Sequence, residues 1–253
     1  EQVSNHKRCS LKGSSGARLR PDFAPAWTNL GNLLGGMGLL KEAADAYECA
    51  LDADPNLVEV ETNLAVNLQS RGQHEAALRH HENVVRLRPD FRTGQHNRLM
   101  SMHYNDRITR DEVLGAHRAW GQAAAASGQW RNRQPADFAN SRERARILRI
   151  GYVSPDFRQH PVASFILPLL EAHDRSQFDI WCYSDVAGPD AMTARIRAAA
   201  DHWIDAAGWD DAVLADRIVS DRIDILVDLA GHTSGNRLTV FAKRAAPVQM
   251  TWL

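Results

Sequence analysis

A register that returns every 34 residues constrains this chain more than any other feature. It is anchored by Pro21-Asp22-Phe23, Pro55-Asn56-Leu57 and Pro89-Asp90-Phe91. Between the anchors the same residue types recur at the same offset: Asn29, Asn63 and Asn97; Leu30 and Leu64; Leu34 and Leu68; Gly38 and Gly72; Ala43 and Ala77; Glu48 and Glu82. A period of this length specifies stacked helix pairs, each burying an apolar face that it cannot cover alone. The spacing predicts antiparallel helices over 24–37 and 40–53, then over 58–71 and 74–87. Gly38 and Gly72 can take the positive φ that ends a first helix, Ala43 and Ala77 let paired helices approach, and Pro55 and Pro89 open the next unit.

Trp27, Leu30, Gly31, Leu34, Ala43, Tyr47, Ala50 and Pro55 together resemble the tetratricopeptide repeat at its signature positions. The second copy departs at Glu61 and His81, where that pattern usually carries aromatics. The third keeps Asn97 and fades after Asn105, so it reads as a half repeat.

With 253 residues and 44% hydrophobic composition, the chain has room for two cores. Its 30 basic and 31 acidic residues leave a net charge of −1, which supplies no field to gather nucleic acid or an anionic membrane. Neither partner is expected. No apolar run approaches the length of a membrane span, and the polar start 1–20 lacks the apolar core of a signal peptide, so a cytoplasmic location is the default expectation. That leader is expected to be poorly ordered, and both ends suggest a fragment. Cys9, Cys49 and Cys182 are odd in number and far apart, which argues against disulfides and against zinc. Cys49 is expected to be a small buried hydrophobe.

Thr109-Arg110-Asp111-Glu112 has the form of a capping box and opens a helix expected to run to about Ala126 and close the repeat stack, giving a helical part over 21–127. Residues 128–146 are rich in Arg, Asn, Gln and Pro and read as a crossover. From 147 to 253 short β-rich runs alternate with helical segments: strands at 148–154, 178–184, 223–229 and 248–253, helices at 162–173, 190–200, 210–220 and 238–244. Alternation of this kind argues for a parallel sheet covered by helices on both faces. Ligands then bind outside the carboxyl ends of the strands, which directs attention to the loops 155–161 and 230–237. Neither loop carries a dinucleotide fingerprint or a P-loop, which disfavours nicotinamide dehydrogenases and nucleotide triphosphatases.

Three strings complete the pattern: Arg149-Ile150-Gly151-Tyr152-Val153-Ser154-Pro155-Asp156-Phe157 followed by His160-Pro161, then Asp224-Ile225-Leu226-Val227-Asp228-Leu229-Ala230-Gly231-His232-Thr233, then Ala246-Pro247-Val248-Gln249 with Thr251-Trp252. With the repeats, they resemble the first catalytic lobe of the tetratricopeptide-linked protein O-glycosyltransferases, the family of O-GlcNAc transferase and the Spindly-type O-fucosyltransferases. The resemblance implies a tetratricopeptide superhelix followed by a Rossmann-like lobe, the first half of a two-lobe GT-B enzyme. It also implies inverting transfer of a sugar from a nucleotide-sugar such as UDP-GlcNAc to Ser or Thr hydroxyls, with no metal and no cofactor. A GDP-fucose-dependent Spindly-type enzyme and a non-catalytic scaffold are the alternatives, and transfer to lipid or glycan is a further one. This lobe alone is expected not to turn over substrate.

His160 matches the family's His-Pro histidine, for which a general-base role is proposed and disputed; a neutral imidazole is one of the few proton acceptors available at pH 7. The alternative is that it caps the following helix or holds the donor. Pro161, Gly231, His232, Thr233 and Asn236 are candidates for the donor and acceptor cleft. Gly-His-Thr and Asn236-Arg237-Leu238 resemble the Spindly-type and bacterial members, where animal O-GlcNAc transferases carry tyrosine for the histidine. Asp216 matches a family aspartate once linked to proton transfer, against the plainer reading of a solvated carboxylate on an amphipathic helix. Asn29, Asn63 and Asn97 are expected on a concave face, where an amide can both donate to and accept from a peptide backbone, or else support helix packing. His74, His80 and His81 do not form a metal site on this reading, and Trp120, Trp181, Trp203 and Trp209 are packing anchors.

Overall fold

The computed structural model describes residues 22–126, 133–134 and 137–252; the leader 1–20 and part of the crossover lie outside them. The chain divides into two compact units between Gly115 and Ala116. The sequence reading sets the end of the helical part at 127, where its capping helix stops.

The first unit holds the helix pairs α1 (Ala24–Gly36) with α2 (Leu40–Ala53) and α3 (Val58–Ser70) with α4 (His74–Leu87), followed by α5 (Arg92–Met102) and the start of α6 (Arg110–Ala126). Gly38 (φ 76°) and Gly72 (φ 72°) make the tight turns. At each, the N–H three residues past the helix reaches back to its last turn: Leu39 to the Leu34 carbonyl at 3.0 Å and Gln73 to Leu68 at 2.9 Å. In the first pair the aromatic rings of Trp27 and Tyr47 are buried with Ala43, Ala46 and Ala50. Tyr47 lies so close to Gly31 that a Cβ there would sit 2.4 Å from its ring. Thr109 and Glu112 exchange hydrogen bonds at 2.7 and 3.3 Å, the reciprocal geometry of a capping box.

The second pair packs differently. Glu61 replaces Trp27 and is buried, accepting from Asn83 Nδ2 (3.3 Å) and pairing with His80 Nδ1 (2.6 Å). His81 replaces Tyr47, is 1% exposed, and neither ring nitrogen has a hydrogen-bond partner. Asn67 Oδ1 and Ser101 Oγ, one repeat apart, are also buried and unpartnered. Burial, then the neighbouring His80, holds His81 down to about 4. Burial, then Arg92, does the same for His96. Cys49 is buried in the first pair, as a small apolar side chain would be. Cys182 is a free thiol that burial pushes up.

The second unit carries a five-stranded, fully parallel sheet in the order β3-β2-β1-β4-β5. Its elements are β1 (Leu148–Ser154), α7 (Pro161–Ala172), β2 (Phe178–Ser184), α8 (Ala191–Ala199), β3 (His202–Asp205), α9 (Asp211–Ser220), β4 (Ile225–Asp228), α10 (Leu238–Ala242) and β5 (Val248–Thr251). The sequence reading missed β3, whose four residues are too short and too polar to stand out. Alternation along β1 sends Ile150 and Tyr152 to one face, under Ile166 and Leu170 of α7 and Ile196 of α8. It sends Val153 to the other, under Leu214 and Ile218 of α9 and Val240 of α10. At the amino edge, Asp224 accepts from Arg146 through both oxygens (2.6 Å each), from Asn140 (2.6 Å) and from the Arg149 N–H (2.9 Å). Burial alone would raise this carboxyl, but those bonds, led by Arg146, hold it below its ordinary value.

At the carboxyl edge Arg237 gathers three loops. Its guanidinium donates to both oxygens of Asp185 after β2 (2.7 and 3.0 Å), and to Asp211 and the Trp209 carbonyl after β3 (2.8 Å each). All three charged side chains are largely buried.

Two outcomes are expected. The ordinary histidine value of 6.5 lies above the folded values of His81 and His96. Between about pH 6.5 and 4 the unfolded chain therefore binds more protons, and repeat stability, full above that window, falls as pH drops through it by up to about 3 kcal/mol per group. Urea unfolding at stepped pH checks this, and His81→Leu should flatten the profile. Arg237→Ala leaves Asp185 and Asp211 buried without a counter-charge and should cost on the order of 3–5 kcal/mol, with Arg237→Lys recovering only part because it lacks the fork.

Candidate functional site

β1 and β4 are hydrogen-bonded neighbours in parallel, from Ile150↔Ile225 to Val153↔Asp228. The chain therefore leaves both at the same edge. From β1 it proceeds to β2 and β3 on one side, and from β4 to β5 on the other, so the two exit loops diverge and open a crevice at a topological switch point. Both loops singled out from the sequence, 155–161 and 230–237, flank it.

His160 ends the first loop as the N-cap of α7, with φ −154° and ψ 153°. Pro161 restricts the residue before it to extended backbone, and, having no N–H itself, makes Val162 the first amide of the helix that needs an acceptor. His160 Nδ1 accepts that N–H at 3.3 Å. The Asp156 carboxylate lies 3.8 Å from the same nitrogen, and Arg158 3.8 Å from that carboxylate, both beyond hydrogen-bond distance. Gln159 is tied by its N–H to Asp190, the N-cap of α8, at 2.7 Å. Pro161 itself is exposed at the first position of α7.

The second loop is fastened from below by Asp228, 1% exposed at the end of β4. It accepts from the N–H groups of Ala230 (3.2 Å) and Gly231 (2.8 Å) and from Thr251 Oγ1 (2.8 Å). Burial outweighs those bonds and raises its carboxyl above the ordinary range. Gly231 turns the chain with φ 53°. His232 follows, its Nε2 3.0 Å from His117 Nδ1, with the Trp120 ring edge-on at 4.8 Å. His117 and Trp120 lie on the part of α6 that belongs to this unit. Thr233 Oγ1 donates to the Ala230 carbonyl (2.7 Å); Asn236 donates to the Thr233 carbonyl (2.8 Å) and accepts from the Leu238 N–H (3.3 Å). These two side chains shape the turn.

Asp216 is exposed on α9 and paired with Arg133 at 2.5 Å, holding the crossover against the sheet unit. In the repeats, Asn63 donates to Asn32 Oδ1 (3.0 Å), which also accepts from Tyr47 (2.9 Å), so this amide bridges the first and second pairs. Asn29 is exposed and lines a groove of about 570 Å³ with Thr28, Asn56 and Arg88, and Asn97 is partly exposed on α5. Sequence reasoning missed Asp156, Asp228, Arg237 and His117. Asp156, four residues before His160, and Asp228, two and three residues before the amides it holds, left local traces; the partners of Arg237 and His117 are distant in the chain.

Comparison with known proteins agrees with this arrangement. Residues 119–253 match the model of glycosyl transferase family 41, and residues 24–57 match the tetratricopeptide repeat. The chain is 38% identical over 176 residues to a protein of Arabidopsis thaliana named probable UDP-N-acetylglucosamine–peptide N-acetylglucosaminyltransferase SPINDLY, covering 66% of this chain and 18% of that one. It is 35% identical over 107 residues to the Arabidopsis protein of the same type named SEC, covering 42% and 11%. A solved structure of a Thermobaculum terrenum O-GlcNAc transferase mutant, K341M, matches with a TM-score of 0.75 at 34% identity, covering 94% of this chain and 45% of that one. The chain thus spans less than half of each relative. With the family match covering more than half of its residues and the strand order and loops described above, the chain belongs to glycosyl transferase family 41.

Proposed function

We propose that this chain belongs to an inverting protein O-glycosyltransferase, and that its α/β unit forms the first lobe of the two-lobe cleft. A nucleotide-sugar is the donor and the Ser or Thr hydroxyl of a protein the acceptor. The observation that carries this reading is the switch-point crevice, with His160 on one flank and Gly231-His232 on the other, in a chain of family 41. UDP-GlcNAc is the donor supported by the names of the plant relatives and of the bacterial structure. GDP-fucose is the alternative that the Gly-His-Thr loop supports. Neither a metal nor a cofactor is invoked, and the reaction is placed in the cytoplasm.

The repeats would hold extended substrate polypeptide. Asn29 and Asn97 retain exposure, whereas Asn63 is partly committed to the contact between repeats. A ladder of amides offers a peptide backbone both donors and acceptors without reading its sequence.

Turnover is measured on the protein from its complete reading frame, with UDP-GlcNAc and GDP-fucose in parallel. UDP-GlcNAc should support transfer to protein, and His160→Ala should lower kcat/KM by about 100-fold or more. Transfer from GDP-fucose alone would move the donor assignment; transfer from neither would leave a binding scaffold. Asn29→Ala with Asn97→Ala should raise KM for a protein acceptor severalfold with kcat little changed, as expected of uniform binding.

A further inference from the structure

His160 has one nitrogen close to its Cβ and one far from it, and the fold makes different use of each. Pro161 removes the first amide of α7 and holds His160 extended. In that conformation the near nitrogen, Nδ1, reaches the next amide, Val162 N–H, at 3.3 Å. A nitrogen can accept that bond only through its lone pair. The ring proton must then sit on Nε2, and a second proton on Nδ1 would break the cap. The carboxylate that could instead hold a proton on Nδ1, Asp156, stands at 3.8 Å, too far for a hydrogen bond. The side chain remains 37% exposed, and no partner for Nε2 is present among the described residues.

We infer that His160 works as a neutral imidazole whose Nε2–H donates a hydrogen bond to an oxygen of the bound substrate, and not as the general base. A base needs its outward nitrogen unprotonated, which would put the ring proton on the inner nitrogen, and here the inner nitrogen keeps its lone pair to accept the Val162 N–H. The oxygen it meets is one that gains negative charge during transfer, as on the leaving diphosphate, where a fixed donor gives its largest return. No proton moves to or from His160 in this role. That role rests on the glycosyl-transfer reading above; the tautomer does not.

Two measurements separate these levels. Long-range ¹⁵N–¹H spectra of the chain in mildly alkaline buffer, with the His160 ring assigned by its loss in His160→Gln, should show protonated Nε2 and unprotonated Nδ1. A proton on Nδ1 overturns the inference and leaves the transfer reaction standing. The second compares His160→Asn with His160→Asp. Both carry a side-chain oxygen that caps a helix, which keeps stability matched and is checked by melting. Asn retains an N–H donor and cannot take a proton; Asp can take a proton and donates nothing. Turnover of the Asn variant should exceed that of the Asp variant by about 10-fold or more, with no new acid limb in its pH profile. An Asp variant more active than the Asn variant overturns the donor role. A wild-type protein that transfers no sugar refutes the reaction, and the spectrum still decides the state of the imidazole.

Discussion

The pairing of β1 with β4 is the constraint on which the α/β unit turns. Two parallel strands that share hydrogen bonds must deliver their exits to one edge, and their opposite onward directions hold those exits apart. Gly151 helps to make the pairing possible: a Cβ there would lie 3.1 Å from Ile223, Leu226 and Tyr183. That spacing is tighter than side chains ordinarily tolerate, and a central strand so closely covered on both faces has little freedom to slip its register.

The polar groups at this edge divide sharply by task. Asp228, Thr233, Asn236 and Arg237 spend their hydrogen bonds on the loops themselves, and Asp185 and Asp211 spend theirs on Arg237. His232 is gripped by His117 and Trp120. His160 differs in being committed at one nitrogen and exposed at the other. A surround of satisfied polar side chains gives such a group a fixed direction, which is what a positioned donor requires.

Much of this was legible in the sequence because periodicity reports local structure directly. The 34-residue register located α1 to α4 to within a residue of their observed ends, and the strands β1 and β2 and the loops after β1 and β4 followed from alternation and from the family strings. What escaped was what depends on distant pairing. β3 is a strand only because Trp181 to Ser184 lie beside it. Arg237 stood in the sequence only as part of the Asn236-Arg237-Leu238 string, since Asp185 and Asp211 are 52 and 26 residues away. The contact of His232 with His117 spans 115 residues. The His-Pro string marked the place, but the nitrogen that His160 commits became visible only with the dihedral angles and the Val162 distance.

The uneven interior of the repeats carries a mechanical consequence. The first helix pair closes on aromatic rings, whereas the second encloses Glu61, His81 with both ring nitrogens unpartnered, and the unpartnered Oδ1 of Asn67. Buried polar atoms without partners weaken the cohesion of the layers that contain them, and opening free energies within one protein vary with such local differences. The stack is therefore stiff around Trp27 and Tyr47 and pliant around His81. A stack built this way parts more readily within its second helix pair than within its first.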